Sequence, residues 1–428
     1  MHQLVNRPKS LIGKVDVPGD KSIAHRALIL NSLAKGISIV RGLPVGEDVK
    51  ATELCLKDLG VRIEKVNSSG DLRIYGSEGA LRKSLGNLDA RNSGTTMRLL
   101  SGALASQSFT SVITGDYSLL SRPMDRIIKP LNLMGACVSG AMEDSLPPIT
   151  IKGGDLHGIE YTLPVASAQV KSCIMLAALR ASTPTIIHQP ALSRDHTERM
   201  LDSMGAKVIR RGFQLEIFPG VLKSFDLSIP GDISAASFWM VAGICHANAQ
   251  LKINNIGINP GRIGIIEALK SMGANLFLEK QHVEAGEPCA DILIESSSLV
   301  GVEIGGDLIP RLIDEIPVLA VAACFAKGTT VIKDASELRV KESDRISTIV
   351  RELTKMGASI EERSDGMVIH GKGKLEGAEV GSYGDHRLAM ALGVAGLVAD
   401  NDTIIDGSDA VGVSYPQFWD QIDLFTKE

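Results

Sequence analysis

The sequence predicts an α/β protein of two domains, each assembled from three similar units of roughly 70 residues. Three observations carry this expectation. At 428 residues the chain exceeds what one hydrophobic core usually serves. Five segments then repeat one pattern: "LKDLGVRI", "LNLMGACV", "LDSMGAKV", "LKSMGANL" and "LTKMGASI", with their glycines (Gly60, Gly135, Gly205, Gly273, Gly357) spaced 68 to 84 residues apart. Finally, six almost wholly apolar runs open with small or polar residues: "GDKSIAHRALIL", "NSGTTMRLLSGALA", "SAQVKSCIMLAAL", "GDISAASFWMVAG", "DEIPVLAVAACFAKG" and "GDHRLAMALGVAGL".

In the first set, a helical run meets a glycine that supplies the left-handed conformation after a helix, and the alternating residues beyond it read as a strand. In the second set, helices apolar all round belong inside a layer rather than on a surface. Each unit thus carries one buried helix, one amphipathic helix ending in glycine, and strands between. The fourth buried helix begins near Gly231, which places one domain boundary close to Ser228–Asp232.

Composition narrows the function. Hydrophobic residues make up 44% and charged residues 22%, an ordinary globular balance. Aromatics are only 4%, so Leu, Ile, Val, Ala and Met must build the core. A net charge of −5 without a basic stripe argues against a nucleic-acid partner, and any anionic ligand needs a local cluster of cations. The cysteines (Cys55, Cys137, Cys173, Cys245, Cys289, Cys324) are scattered, mostly among apolar residues, with no CxxC pair. They read as reduced thiols, without the spacing of a zinc site. The opening "MHQLVNRPKSLIGKV" lacks a signal-peptide core, and no stretch approaches about 20 uninterrupted apolar residues. A cytoplasmic protein with no membrane partner is therefore expected.

The first turns of the buried helices hold the chemistry. A helix N-terminus with small residues offers free N–H groups and a positive dipole end, which suits anions. "GDKSIAHR" brings Lys21, Ser22 and Arg26 together, the latter two at i and i+4. Asn92, Ser93, Gly94 and Thr95 open the next helix, and Ser167, Gln169 and Lys171 open a third. Ser193 and Arg194 precede "DHTERM", while Arg122 stands before a proline that can start a helix. Capping explains a Ser, Thr or Asn at such positions. It does not explain the cation beside it.

The C-terminal half adds Asp314, set among apolar residues where desolvation would favour general-base work. It also adds Lys341, Glu342, Arg345 and Arg387, with Asp344 and Asp385 placed to orient the two arginines. Lys21, Arg26, Arg122, Lys171, Arg194, Lys341, Arg345 and Arg387, if converging, would repel one another unless anions were bound. Two small ligands, each bearing a phosphate and a carboxylate, meet that requirement, and arginine suits both groups through its planar fork.

At this point a resemblance becomes specific. "PGDKSIAHR", "NSGTTMRLL", "RPMDRII", "ASAQVKS", "SRDHTERM", "IDEIPVLAVAA", "RVKESDRI" and "DHRLAMA" follow one another between about residues 10 and 420. They resemble the signature segments of the 5-enolpyruvylshikimate-3-phosphate (EPSP) synthase family. The resemblance implies an inside-out α/β fold whose two domains, each of three βαβαββ-like repeats, close on substrate. The expected division is residues 1–19 plus 230–428 and residues 20–229.

The resemblance also implies that the chain transfers the enolpyruvyl group of phosphoenolpyruvate to the 5-hydroxyl of shikimate 3-phosphate by addition and elimination, as a monomer without cofactor or metal. Carried over residue by residue, Lys21, Ser22, Arg26, Ser167, Ala168, Gln169, Ser193, Arg194, Asp314 and Lys341 match contacts to shikimate 3-phosphate. Lys21, Gly94, Arg122, Gln169, Arg345 and Arg387 match the surroundings of phosphoenolpyruvate. Asp314 matches an acid/base aspartate, with Glu342 or Lys21 handling the proton at C3.

Two departures stand out. Many relatives carry a lysine shortly before the "YP" of the C-terminal motif, where this chain has Gly412 and Val413. Glu337 stands where some relatives have asparagine. Two rival readings are disfavoured. The sister enolpyruvyl transferases acting on UDP-N-acetylglucosamine typically use a loop cysteine in the first domain, and none falls between Cys55 and Cys137. A ring-forming DNA clamp would need a basic inner helix face.

Overall fold

A computed structural model describes residues 1–66 and 70–426. The chain forms two compact units: Gly19–Ile229 with Val283–Glu287, and Met1–Pro18 with Pro230–His282 and Pro288–Glu428. Nothing in the sequence marks the short excursion Val283–Glu287.

The six apolar runs are helices: α1 (Lys21–Leu33), α2 (Gly94–Leu104), α3 (Ala168–Ala178), α4 (Ile233–Cys245), α5 (Ile316–Phe325) and α6 (His386–Val398). Burial runs around their circumference, and all thirteen residues of α6 are buried. At about 1.5–3 kcal/mol for each large apolar side chain removed from water, these helices dominate the two cores. Their starts are fixed by side-chain caps: Asp20, Ser93, Ser167, Asp232 and Asp385 each accept a backbone N–H from the first turn. Close approach also needs glycine. A Cβ at Gly102 of α2 would lie 2.1 Å from the carbonyl oxygen of Cys173 in α3.

The glycine-ended segments are the outer helices Glu47–Asp58, Asp125–Leu133, His196–Ser203, Gly264–Ser271 and Arg345–Lys355. Gly60, Gly135, Gly205, Gly273 and Gly357 all have φ between +82° and +103°, where a side chain would be strained.

The sheets show the same repeat. In the first unit, Leu227–Ser228 runs parallel to Ile37–Arg41, which pairs antiparallel with Leu72–Tyr75 and through it with Arg62–Lys65. Leu88–Asp89, Thr110–Thr114, Leu146–Lys152 and Cys137–Gly140 follow this order, as do Glu160–Thr162, Thr185–His188, Gln214–Ile217 and Val208–Arg211. In the second unit the order recurs with Glu303–Ile304, Gly328–Ile332, Gly366–Gly371 and Ser359–Arg363. A further sheet there joins Leu11–Val15, Ala249–Gly257, Glu287–Glu295 and Asn275–Glu284.

The sixth sheet has three strands, Glu379–Gly381, Thr403–Asp406 and His2–Val5, and its unit carries the helix Phe418–Thr426 in place of a glycine-ended outer helix. The N-terminal strands thus complete two sheets of the second unit.

Candidate active site residues

In the unit Gly19–Ile229, side chains tie the first turns of α1, α2 and α3 together. Lys21 donates to Asp48 Oδ2 at 2.7 Å. Arg26, expected at the mouth of a ligand site, is 3% exposed and donates to Thr197 Oγ1 (2.7 Å), the Ser22 carbonyl (2.9 Å) and Ser172 Oγ (2.8 Å). Burial pulls its pKa down to about 10, against the favourable charge of Glu198, so it stays a cation at neutral pH. Arg194 Nη1 reaches Ser22 Oγ at 3.4 Å. Beneath them, His25 meets Thr52 Oγ1 (2.7 Å), Thr52 meets Thr96 Oγ1 (2.7 Å), and Thr96 meets the Ser93 cap (2.8 Å).

A second group surrounds Gly94. A Cβ there would lie 2.9 Å from Arg98 Nη1 and 3.4 Å from Arg122 Nη1, so two guanidiniums lie over the glycine. Arg98 donates to Gln169 Oε1 (2.6 Å), and Gln169 Nε2 donates to Thr95 Oγ1 (2.8 Å). Arg122 donates to Asn92 Oδ1 (3.0 Å) and Ser118 Oγ (3.2 Å), and Asn92 donates to Asp116 (2.7 Å). Paired guanidiniums beside a helix N-terminus suit a phosphate or carboxylate. The helix after Arg122 begins only at Asp125, with Met124 as its cap, so Pro123 does not start it as the sequence suggested. Ala168 opens α3 behind its Ser167 cap.

Lys171 does not join these cations. It is 1% exposed and pairs with Glu198 Oε1 at 2.7 Å. It also donates to Gln189 Oε1 (3.0 Å) and the Ser193 carbonyl (3.5 Å), while the Ser193 hydroxyl donates to Gln189 (3.3 Å). Lys171 supports the Ser193 loop from within. A helix apolar all round gave no hint that a buried carboxylate awaited its one cation.

In the other unit, Asp314 is a hub. Its Oδ1 lies 3.7 Å from Lys341 Nζ and 3.4 Å from Arg345 Nη1, its Oδ2 lies 3.9 Å from Arg387 Nη2, and Arg387 Nη1 donates to its carbonyl at 3.3 Å. The carboxylate expected among apolar residues instead meets three cations. Arg345, 1% exposed, also donates to Glu342 Oε2 at 2.5 Å. It donates to Asp385 Oδ2 at 2.7 Å and to Oδ1 at 3.3 Å. Burial would lower its pKa, but Asp385, Glu342 and Asp314 together raise it above the ordinary value.

The sequence placed Asp344 beside Arg345 and Asp385 beside Arg387. The structure reassigns both aspartates. Asp344 caps its helix through Ser347 N (3.1 Å) and pairs with Arg339 (2.8 Å). Asp385 holds Arg345 and gives Arg387 only a backbone cap at 2.9 Å. Residues adjacent in sequence point apart at a helix start, whereas a cap reaches two or three residues onward.

Sequence reasoning missed Arg98, Asp48 and Glu315. Arg98 stands four residues after Gly94, a spacing that puts both on one helical face. Asp48 and Glu315 carried no such signal; Glu315 is fully buried and lies 3.9 Å from Arg387 Nη1. Gly412 leaves open space, since a Cβ there would meet nothing within 4 Å.

With this geometry in view, the comparisons with known proteins agree. The pattern of the family described as EPSP synthase (3-phosphoshikimate 1-carboxyvinyltransferase) matches residues 5–422. A 3-phosphoshikimate 1-carboxyvinyltransferase of Bacillus thuringiensis subsp. konkukian is 50% identical over 418 residues, 97% of either chain. One from Bacillus anthracis is 50% identical over 420 residues, again 97% of either chain. A solved EPSP synthase structure from Acinetobacter baumannii superposes with a TM-score of 0.88 at 43% identity, covering 99% of this chain and 98% of that one.

Proposed function

The chain belongs to the EPSP synthase (3-phosphoshikimate 1-carboxyvinyltransferase) family, and from that premise we propose how its two clusters of cations carry enolpyruvyl transfer from phosphoenolpyruvate to the 5-hydroxyl of shikimate 3-phosphate. Lys21, Ser22, Arg26, Ser167, Ala168, Gln169, Ser193, Arg194 and Lys341 hold shikimate 3-phosphate. Gly94, Arg122, Arg345 and Arg387, with Lys21 and Gln169, hold phosphoenolpyruvate.

Asp314 accepts the proton of the 5-hydroxyl as its oxygen bonds to C2 of phosphoenolpyruvate. The C2–C3 electron pair takes a proton at C3 from Glu342 or Lys21, giving a tetrahedral adduct. Glu342 or Lys21, left deprotonated by that step, takes a proton back from C3; the C–H electron pair restores the double bond, the C2–oxygen bond to phosphate breaks, and phosphate departs. Arginines fixed beside a departing phosphate stabilise its growing charge without reorganising.

One observation carries this assignment of roles: a single carboxylate, Asp314, lies within 4 Å of Lys341, Arg345 and Arg387. A base set among cations sits beside the groups that would grip its anionic reactants. The reading takes one chain as the working unit, since it carries both clusters, and places it in the cytoplasm. Six free thiols support that compartment. Among the described residues no helix is long and apolar enough to cross a membrane.

Phosphate release tests the reading, with phosphoenolpyruvate supplied alongside shikimate 3-phosphate or UDP-N-acetylglucosamine. Turnover is expected with the first acceptor alone. Asp314→Asn should lower kcat about 10²- to 10⁴-fold, the range for a positioned acid or base. A change below threefold removes Asp314 from the proton transfer.

A further inference from the structure

The segment leading into α6 is held in a way that capping does not explain. Tyr383 has φ +53° and Gly384 has φ +73°. The left-handed conformation suits glycine but strains a bulky residue, and it persists only where the surroundings fix it. Here the Tyr383 hydroxyl donates to Glu352 Oε1 at 2.7 Å. The Gly381 N–H donates to Glu352 Oε2 at 2.8 Å, and Lys355 Nζ meets the same oxygen at 2.7 Å. Glu352 is fully buried, so its carboxylate depends on these donors.

Glu352 belongs to the helix Arg345–Lys355, about two turns beyond Arg345. That one helix therefore grips the same short segment twice. Glu352 fixes Gly381 and Tyr383, and Arg345 fixes Asp385 through both carboxylate oxygens. Asp385 in turn caps the backbone N–H of Arg387 at 2.9 Å. The path from Glu352 to the Arg387 guanidinium thus runs through one strained turn and one cap.

We propose that Glu352 and Tyr383 are positioning residues for the transfer reaction. By locking the Gly381–Gly384 turn they set where Asp385 and Arg387 stand, and so the affinity for phosphoenolpyruvate. This rests on the reading that Arg345 and Arg387 hold that substrate.

Tyr383→Phe removes one hydroxyl from a half-exposed residue, so the chain should still fold. The KM for phosphoenolpyruvate is expected to rise about three- to tenfold, part of what a hydrogen bond to a charged group is worth. The KM for shikimate 3-phosphate should stay within about twofold. Glu352→Gln keeps an acceptor for Gly381 and a donor for the Tyr383 oxygen, and should restore near-normal values. Glu352→Ala should match or exceed Tyr383→Phe, and the double variant should add nothing to it.

Arg387→Ala is the control that separates the two levels. If it raises the KM for phosphoenolpyruvate while Tyr383→Phe leaves it within about twofold, the positioning role is refuted and the site reading stands. Equal rises in both KM values for Tyr383→Phe refute it as well. No effect of Arg387→Ala overturns the site reading and the inference together.

Discussion

Replacing Lys171 with methionine should destabilise the unit Gly19–Ile229, with any loss of ligand affinity following that destabilisation. Lys171 Nζ and Glu198 Oε1 are 2.7 Å apart, with side chains only 1% and 2% exposed. Removing one partner of such a pair strands the other charge, at about 3–5 kcal/mol. The Arg26 guanidinium also feels the charge of Glu198, which places the expected loss near the lower end, about 3 kcal/mol. For a unit of this size, about 2–4 °C of melting temperature follows each kcal/mol, so a fall of about 6–12 °C is expected. The double variant Lys171→Met/Glu198→Leu removes both charges and should return to within about 1 kcal/mol of the parent. Far-UV circular dichroism is the appropriate probe, because Trp239 and Trp419 both belong to the other unit. A single variant melting within about 2 °C of the parent, or a double variant as unstable as the single, refutes the reasoning. A selective rise in the KM for shikimate 3-phosphate at unchanged stability would return Lys171 to the ligand site.

Two further outcomes follow from burial. Burial, and then the charges of Lys21 and Arg26, hold the His25 imidazole well below its ordinary pKa. The unfolded chain binds that proton near pH 6.5, so stability is full above this value and declines as pH falls toward the folded-state pKa. Between pH 6.5 and 5.5 denaturant titrations should show the parent losing about 1 kcal/mol that His25→Asn retains, and parallel profiles would refute it. Thiol titration of the native protein should show one fast group, the exposed Cys137. Burial pushes Cys55 up to about 12 and raises Cys173, Cys245 and Cys324 as well, leaving little thiolate to react. Two or more fast groups would count against this packing.

The architecture was legible because its signals are local. A glycine after a helix and an apolar run behind a polar first turn are each decided within a dozen residues, and both repeat. Less legible was what completes a unit from elsewhere in the chain. Leu227–Ser228 supplies the edge strand beside Ile37–Arg41, and His2–Val5 closes the sheet of Thr403–Asp406. Such pairings depend on where the chain returns, which periodicity does not encode. The sixth unit differs for the same reason. With a strand borrowed from the N-terminus, it needs no hairpin after its central strand.

The candidate site was legible in its cations and illegible in its counter-charges. Arginine or lysine at the head of an apolar helix is conspicuous, whereas an aspartate 27 or 40 residues away, as for Lys21–Asp48 and Arg345–Asp385, is not. Gathered cations call for an anion, and that reasoning groups Lys171 with the other candidate cations. The structure shows that the chain meets part of the demand itself. Asp48 stands against Lys21, Glu198 against Lys171, and Asp314, Glu342 and Asp385 against Arg345. These pairs divide by exposure. Where both partners are sealed, as in Lys171–Glu198 or Arg345–Asp385, exchanging the carboxylate for a ligand would open the core, so the pair serves structure. Where the carboxylate keeps 10–16% of its surface, as Asp48, Asp314 and Glu342 do, the pair is not sealed, and an arriving phosphate or carboxylate would compete most readily where the cation is open too, as Lys21 and Lys341 are. By that criterion, and on the function proposed above, Asp314 would have two duties on one pair of oxygens. It offsets part of the charge of Lys341, Arg345 and Arg387, and it would become available to accept a proton once the anionic groups of bound ligands engaged Lys341 and Arg387.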